Sequence, residues 1–424
     1  TRGGALHARF RRLCREIEAV PSLAGRLAWL LRGTAYHNTP PPIGNYRRVS
    51  DAVVWDASPS EIETCLQCPF KHFARYGLRL DPFRGPLPVR WDLGSLAHEI
   101  LADATRRALR EPGGVRSVPD ARWRELLEES VRDRWAQRPA DLPDRRPDLV
   151  FLADVLVGFL RDVVAVHAER WRRGRFEPIA CEQRFAGDGA PDALPGVELP
   201  LPDAGRVRVH GQIDRIDRAA DGEQAALLVY DYKSGPPESV KQTFLTGNRL
   251  QLFLYLLAVQ QTLARQPGVR AAGVLLAPLY PDMTSLDSKY VINAGEPEQT
   301  MYLYRPRGLI EVTIAPWLDP ALGTVSSPVA QLLLKKDGDF DRHSDVASAD
   351  EIAARIDLAA QTVLHAAEGI ARGAIDVAPL LEAKTLACRN CEFQALCRYD
   401  AAFNRPRRAE TTLPRLAGEE GGDE

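Results

Sequence analysis

Two aspartates and a lysine, Asp214, Asp231 and Lys233, carry the clearest potential for chemistry in this sequence. Asp214 belongs to a run of alternating apolar and polar residues from 207 to 216, and the other two follow an apolar run from 225 to 229. Both patterns are typical of β-strands, and the Ala-Asp-Gly segment between them is typical of a tight turn. The stretch therefore predicts a β-hairpin that gathers the three side chains.

The two aspartates are about equally far from the predicted turn, so antiparallel pairing would place them within about 5 Å of each other. Two carboxylates suit Mg²⁺ or Mn²⁺, which also accept water and substrate phosphate as ligands. Lys233 would project from the same face as Asp231. An ammonium group there orients an attacking water or neutralises charge on a phosphoryl transition state. A D-x-K pattern alone, however, favours a surface hairpin whose charges merely pair.

The composition is that of an ordinary globular chain. Of its 424 residues, 45% are hydrophobic and 26% are charged, which allows two domains or one large domain with insertions. No apolar run reaches about 18 residues, so we expect no membrane span. The chain starts at Thr1 without a secretory signal pattern, and we interpret it as an excised or processed fragment of an intracellular, cytoplasmic protein.

The charges are unevenly distributed. The net charge of −2 gives no indication of a polyanionic partner, but residues 1–50 contain nine arginines, no lysine and two glutamates. This segment is equally consistent with a surface that follows a phosphate backbone and with a solvated helix face. The last residues, 417–424, are acidic and glycine-rich, which predicts a disordered tail.

The elements that must position these residues follow from periodicity and capping. A helix is predicted to start at Ser58, a suitable N-cap ahead of Pro59 and Glu61, and to carry Cys65 and Cys68. The other predicted helices lie at residues 5–33 (one or two helices), 94–109, 121–137, 148–173, 240–263 and 349–371. The other predicted strands lie at residues 176–185, 269–279, 288–293 and 311–315.

The cysteines form the second chemical signal. Seven are present, an odd number without a secretory signal, which argues against a disulfide scaffold. Cys388, Cys391 and Cys397 form a C-x₂-C-x₅-C pattern, and Cys65 and Cys68 lie more than three hundred residues earlier. Four clustered thiolates suit an iron–sulfur cluster and a tetrahedral zinc ion equally well.

Four short motifs occur in a fixed order: G-x-x-x-H ending at His98, G-x-x-D-R containing Asp214, D-Y-K-S-G starting at Asp231, and Q-L-x-x-Y from Gln251 to Tyr255. Together they resemble a PD-(D/E)xK nuclease of the RecB/AddB type, over roughly residues 50–400. An ordered set of four is far more specific than any one of them.

The resemblance implies a restriction-endonuclease-like α/β fold. Its αβββαβ core is a mixed sheet flanked by helices, here with helical insertions. We accordingly expect a basic helical segment with a Pro-rich linker at residues 1–49, which is consistent with the end of a preceding helicase-like domain. A nuclease domain would follow at residues 50–408, and an acidic disordered tail at residues 409–424.

The resemblance also implies roles for the hairpin residues. Asp214 and Asp231 match the metal-binding carboxylates, and Lys233 matches the catalytic lysine. His98 and the backbone carbonyl of Tyr232 would be further metal ligands. A neutral imidazole binds divalent metals, although His98 alone would be read as an ordinary helix histidine.

Further residues are implied at the edge of the site. Gln251 and Tyr255, four residues apart on one helix face, match a pair that positions the lysine or the substrate phosphate. Taken alone, they fit a core helix. Glu182 lies where some relatives have an acidic residue, and we give it little weight. The basic and aromatic residues 71–75 are candidates for contacts with a DNA strand.

For the thiolates, the resemblance to AddB-type and CRISPR adaptation nucleases favours a [4Fe–4S] cluster over zinc. The ligands would be Cys68, Cys388, Cys391 and Cys397, with Cys65 as a substitute for the first. Such a cluster would tie the start of the nuclease domain to its end and stabilise the domain without taking part in the chemistry.

The implied function is divalent-metal-dependent DNA hydrolysis in double-strand break resection, with an AddA-like helicase–nuclease subunit as partner. Two alternatives stay open at this point. One is a stand-alone exonuclease of the same superfamily. The other is a non-catalytic DNA-binding module in which fold and cluster are structural.

Overall fold

The computed structural model describes residues 2–34, 38–44, 46, 54–81, 93–137, 147–185, 192–201, 205–235, 250–283, 295–382, 385–389 and 391–409. Three predictions fall partly or wholly outside these residues. They are the strand at 288–293, the first part of the helix at 240–263, and the acidic tail, of which only Ala409 is described.

The helices have the following bounds: α1 Arg2–Glu18, α2 Pro21–Thr34, α3 Pro59–Gln67, α4 Pro69–His72, α5 Leu93–Leu109, α6 Asp120–Ala136, α7 Pro147–Arg173, α8 Gln251–Thr262, α9 Glu296–Leu303, α10 Ala315–Leu318, α11 Ala349–Ala371 and α12 Gln394–Cys397. The strands have the following bounds: β1 Val54–Ala57, β2 Glu177–Phe185, β3 Val197–Pro200, β4 Arg206–Val209, β5 Gly211–Asp221, β6 Gln224–Lys233, β7 Val269–Pro278, β8 Arg307–Glu311, β9 Val346–Ala347, β10 Leu380–Glu382, β11 Thr385–Leu386 and β12 Arg407–Arg408.

A six-stranded mixed sheet forms the centre of the fold, in the order β2-β5-β6-β7-β8-β9. Strands β2, β5 and β6 are antiparallel neighbours, whereas β6 and β7 run parallel. A parallel neighbour requires a crossover connection, and the segment between β6 and β7 contains α8. The order α5, β2, β5, β6, α8, β7 is the αβββαβ core that the sequence predicted, and the α/β fold class is confirmed.

The sheet is covered on both faces. One hydrophobic core lies between the sheet and helices α3, α8 and α11, and a second lies against α5, α6 and α7. Alternate residues of β6 enter each core: Leu227 and Val229 the first, Ala226 and Leu228 the second. A strand buried on both faces has a continuous apolar sequence rather than an alternating one, which explains the run at residues 225–229.

Several local predictions are confirmed. The Ser58 side chain accepts a hydrogen bond from the Glu61 amide at 3.2 Å, so it caps α3 as expected. The amphipathic helices at 94–109, 121–137, 148–173 and 349–371 match α5, α6, α7 and α11 to within one residue at each end. The segment at 5–33 forms two helices. Among the described residues, no helix combines the length and apolar character needed to cross a bilayer.

Two strand predictions are wrong. The run from 207 to 216 is not one strand, because it divides between β4 and β5. β4 pairs with β1 and β3 in a separate three-stranded sheet, and only β5 belongs to the hairpin. The predicted strand at 311–315 is instead the end of β8 followed by a 3₁₀ turn. Pro316 then occupies the first turn of α10, a position where proline favours a helix start.

Candidate active site

The predicted site begins where the β5–β6 hairpin opens. The ladder between the two strands runs from the turn to the pair Arg215–Tyr230. Asp214 and Asp231 each lie one residue beyond this pair, on the side away from the turn, so they are equally far from the turn. The amide of Tyr232 donates a hydrogen bond of 2.6 Å to Asp214 Oδ2. The structure therefore brings the two carboxylates to the same end of the hairpin.

Asp231 is held by residues from two elements. Its Oδ2 lies 2.5 Å from Lys233 Nζ on the same strand. Its Oδ1 accepts a hydrogen bond of 2.9 Å from Gln251 Nε2 at the start of α8, and that amide also lies 2.8 Å from the Tyr255 hydroxyl. Burial and the charge of Asp214 raise the pKa of Asp231, against the opposing effect of Lys233. The predicted pair of α8 residues thus contacts the site through Asp231.

His98 approaches the site from α5. Its Nδ1 lies 3.3 Å from Asp214 Oδ1 and 3.9 Å from Glu182 Oε1. Burial alone would lower the pKa of His98, but the hydrogen bond and the charge of Asp214 outweigh it, so this pKa lies above its ordinary value. Donor atoms of His98, Glu182 and Asp214 all lie within 4.8 Å of one another.

Glu182 lies across from Asp214 on the neighbouring strand of the sheet. The pairs Cys181–Arg215 and Gln183–Ile213 between β2 and β5 place it opposite Asp214. Its backbone has a φ of 52°, the left-handed region that bulky residues rarely adopt and that is found at functional sites. Gln212 Nε2 donates to Glu182 Oε2.

The only pointer to Glu182 in the sequence was its position on the predicted first strand, which also carries Glu177 and the polar pair Gln183 and Arg184. What the sequence lacks is the register between that strand and the hairpin.

The donor set fits a divalent cation. Glu182 Oε1 is buried and accepts no hydrogen bond within the described part of the chain. A buried carboxylate oxygen without a partner is costly, and a cation bound between Glu182, Asp214 and His98 would satisfy it. Burial and the charge of Asp214 also raise the pKa of Glu182. Carboxylates and a neutral imidazole are ordinary ligands for Mn²⁺, and carboxylates for Mg²⁺.

A buried polar network lies on the α7 side of the hairpin. Arg215, only 2% exposed, forms an ion pair of 2.8 Å with Asp217 and donates a hydrogen bond of 2.8 Å to the Tyr232 hydroxyl. Its guanidinium lies 3.8 Å from the Tyr230 ring centroid, a cation–π contact. Trp171 of α7 donates to Asp217 at 3.3 Å. The network holds the side chain of Tyr232 in place, and the amide of the same residue donates a hydrogen bond to the Asp214 carboxylate.

The four predicted cluster cysteines lie near one another. Burial raises the pKa of Cys388 to about 11, with further contributions from Cys68, Cys391 and Cys397. Among the described residues, no three of these thiols have sulfur atoms within 4.8 Å of one another. Cys65 differs from the other four because it belongs to the hydrophobic core, where burial raises its pKa to about 12.

Direct contacts join the cysteine segment to the start of the domain. Arg407 on β12 donates a hydrogen bond of 2.5 Å to the Leu66 carbonyl of α3. The Phe70 amide donates to the Asp376 carbonyl at 3.1 Å, and Asn38 Nδ2 donates to the Cys397 carbonyl at 2.8 Å. The two ends of the domain therefore meet at the thiols.

Comparison with known proteins agrees with this architecture. A sequence profile of the PD-(D/E)XK nuclease superfamily matches residues 56–398. An ATP-dependent helicase/deoxyribonuclease subunit from Symbiobacterium thermophilum is 32% identical over 400 residues, which are 92% of this chain and 33% of that protein. Proteins of the same name from Desulforudis audaxviator and Bacillus anthracis are 32% and 29% identical, over 81% and 82% of this chain and 29% and 30% of their own length. The chain thus spans about a third of the length of these relatives.

Proposed function

Because the chain belongs to the PD-(D/E)XK nuclease superfamily, we propose that it hydrolyses phosphodiester bonds in DNA with the help of a divalent cation. The observation that carries this proposal is the convergence of His98, Glu182 and Asp214 within 4.8 Å, next to the Asp231–Lys233 pair. Hard-cation ligands and a lysine beside them are what phosphodiester hydrolysis requires.

The residues of this site have different proposed roles. His98, Glu182, Asp214 and Asp231 would hold Mg²⁺ or Mn²⁺, and the Tyr232 carbonyl is a further candidate ligand. Such a cation supplies Lewis-acid polarisation of the scissile phosphate and a water of lowered pKa.

Lys233 would orient the attacking water and balance charge on the phosphate in the transition state. Its side chain is 38% exposed, whereas Asp231 is 2% exposed, so the ammonium faces solvent while the carboxylate anchors it. The Gln251 amide, shared between Asp231 and Tyr255, restricts the Asp231 carboxylate to one orientation. Gln251 and Tyr255 are therefore proposed as positioning residues.

The biological setting is proposed from the relatives. Their names describe an ATP-dependent helicase/deoxyribonuclease subunit, and this chain corresponds to about a third of such a protein. We propose that it is the nuclease part of an AddB-like subunit that acts with an AddA-like partner in double-strand break resection. The names of the relatives favour this setting over a stand-alone exonuclease, and the complete acidic site favours an enzyme over a non-catalytic binding module.

A [4Fe–4S] cluster at Cys68, Cys388, Cys391 and Cys397 is part of the same proposal. Four thiolates suit such a cluster and a tetrahedral zinc ion alike, and the resemblance of the cysteine pattern to AddB-type nucleases favours the cluster.

The decisive experiment changes one carboxylate. Asp231→Asn keeps the shape of the side chain but removes its charge, so we expect DNA cleavage in the presence of Mg²⁺ to fall at least about a hundredfold. Cleavage of labelled single- and double-stranded DNA, with and without Mg²⁺, measures this.

The control is Asp221→Asn at the other end of the hairpin, where the carboxylate pairs with Arg175 on the surface. Its rate should equal that of the parent. Parent-like cleavage by Asp231→Asn would refute the assignment of the site.

A further inference from the structure

A cleft of about 430 Å³ opens beside the proposed metal ligands. Residues 179–184 of β2, an edge strand of the six-stranded sheet, line it. Arg106 and Leu109 of α5 form one wall. Glu182 belongs both to the cleft and to the group of metal-ligating side chains, so the two sites adjoin at this residue.

Arg106 places a positive charge in this cleft. Its Nη2 donates a hydrogen bond of 2.7 Å to the Cys181 carbonyl at the strand edge. Within the described part of the chain it forms no ion pair with a carboxylate. Its neighbour Arg107 differs sharply, because it pairs with three carboxylates, Asp103, Glu129 and Asp133, at 2.5–3.2 Å. A guanidinium has five N–H donors, and the Cys181 carbonyl takes one of them, so Arg106 has the donors to bind an anion as well.

The rest of the lining contains apolar, polar and charged groups, including a second arginine, Arg184, whose Nε donates a hydrogen bond of 3.2 Å to Gln212 Oε1. Leu109 and Ile179 contribute apolar surface, and Ile179 is 46% exposed. Gln183 is tied to the Asp192 carbonyl at 2.7 Å, and the Asp192 carboxylate adds negative charge to the lining. An anion is consequently favoured at Arg106 and disfavoured near Asp192. A nucleotide has the matching character, since it joins a phosphate to a flat base with apolar faces.

We propose that this cleft is the subsite for one nucleotide of the DNA strand next to the scissile phosphate, with Arg106 binding the phosphate of that nucleotide. The proposal rests on the nuclease function proposed above and deepens it. Phosphate contacts fix the register of a strand on a protein without reading its sequence. Arg106 is thus a binding residue that sets which phosphate reaches the metal ligands.

The first test measures binding without hydrolysis. A fluorescent single-stranded oligonucleotide is titrated in EDTA against the parent chain, Arg106→Gln, Arg106→Lys and the charge-matched control Arg107→Gln. We expect roughly tenfold weaker binding for Arg106→Gln, because one charge-assisted contact is lost. Its slope of log affinity against log salt should fall by about 0.7. Arg106→Lys should retain part of the affinity, and Arg107→Gln should bind like the parent.

The second test locates the contact along the strand. DNA carrying one uncharged methylphosphonate linkage at successive positions is cleaved in Mg²⁺, and the cuts are mapped. In the parent, an uncharged linkage one nucleotide from a cut should suppress that cut roughly tenfold. In Arg106→Gln the same linkage should have no effect, because the two changes remove one interaction.

The outcomes separate the two proposals. Parent-like binding by Arg106→Gln, or undiminished sensitivity of this variant to the uncharged linkage, overturns the nucleotide subsite. A parent chain that does not cleave DNA in Mg²⁺ overturns the nuclease function, and the EDTA titration still decides whether Arg106 binds a strand. Circular dichroism of each variant shows whether it is folded.

Discussion

At the scale of single residues, Glu182 is where strain, burial and unsatisfied charge coincide. It has a left-handed backbone, a φ of 52°, and a buried oxygen without a hydrogen bond among the described residues. We expect Glu182→Gln to weaken Mn²⁺ binding at least roughly tenfold, because losing even an outer-shell partner of a ligand costs a metal site about that much. Isothermal titration calorimetry with Mn²⁺ measures this without DNA or turnover.

Glu177→Gln is the matched control for that change. Glu177 lies at the other end of β2, where it is 43% exposed and pairs with Arg116, so its loss should leave Mn²⁺ affinity unchanged. Equal affinity in Glu182→Gln and the parent would remove Glu182 from the proposed ligand set.

Asp231 and Glu182 differ in whether the sequence alone could predict their position beside Asp214. Asp214 and Asp231 were predicted to meet because both lie within one hairpin, where distance from the turn sets the register. Glu182 reaches the same place through the pairing of β2 with β5, and a loop and two further strands lie between them in the chain. No local pattern encodes that register, so the sequence pointed to Glu182 only through the family resemblance.

At the scale of elements, the hairpin is anchored to α7 through the buried pair Arg215–Asp217. Arg215→Met leaves Asp217 as an unpaired buried charge, and we expect a loss of about 3 kcal/mol in the free energy of unfolding. Urea denaturation followed by circular dichroism measures it. The double variant Arg215→Met, Asp217→Asn removes both charges and should recover part of the loss. If the single variant is as stable as the parent, the pair does not anchor the hairpin.

The helices and strands also differ in how well the sequence predicted their bounds. Helices α5, α6, α7 and α11 were predicted closely because an amphipathic pattern repeats within one helix. The break between β4 and β5 was missed because both strands have the same two-residue period, and a change of sheet leaves that period intact. Gly211 stands at the break, where a Cβ atom would meet the Phe185 ring at 2.9 Å and the Tyr255 ring at 3.2 Å. Only the packed structure reveals that close approach.

At the scale of the whole molecule, the thiols lie where the two ends of the domain meet. The cysteine spacing indicated a metal site, but it left Cys65 and Cys68 as rival ligands. In the fold, Cys65 packs in the hydrophobic core, whereas Cys68 lies at the junction of α3 and α4. Contacts such as Arg407 to the Leu66 carbonyl already close the same junction. A bound cluster would therefore reinforce a closure that protein contacts begin.

The different environments of Cys65 and Cys68 make Cys65→Ala a suitable control for a test of the cluster. After anaerobic purification, the parent should contain iron and absorb visible light, and Cys68→Ser should lose both. Because bound metal contributes folding free energy, the melting temperature of Cys68→Ser should fall by roughly 5 °C. Cys65→Ala leaves the proposed ligands intact and should keep its iron. Zinc in the parent would refute the iron–sulfur cluster, and loss of iron from Cys65→Ala alone would exchange the two cysteines as ligands.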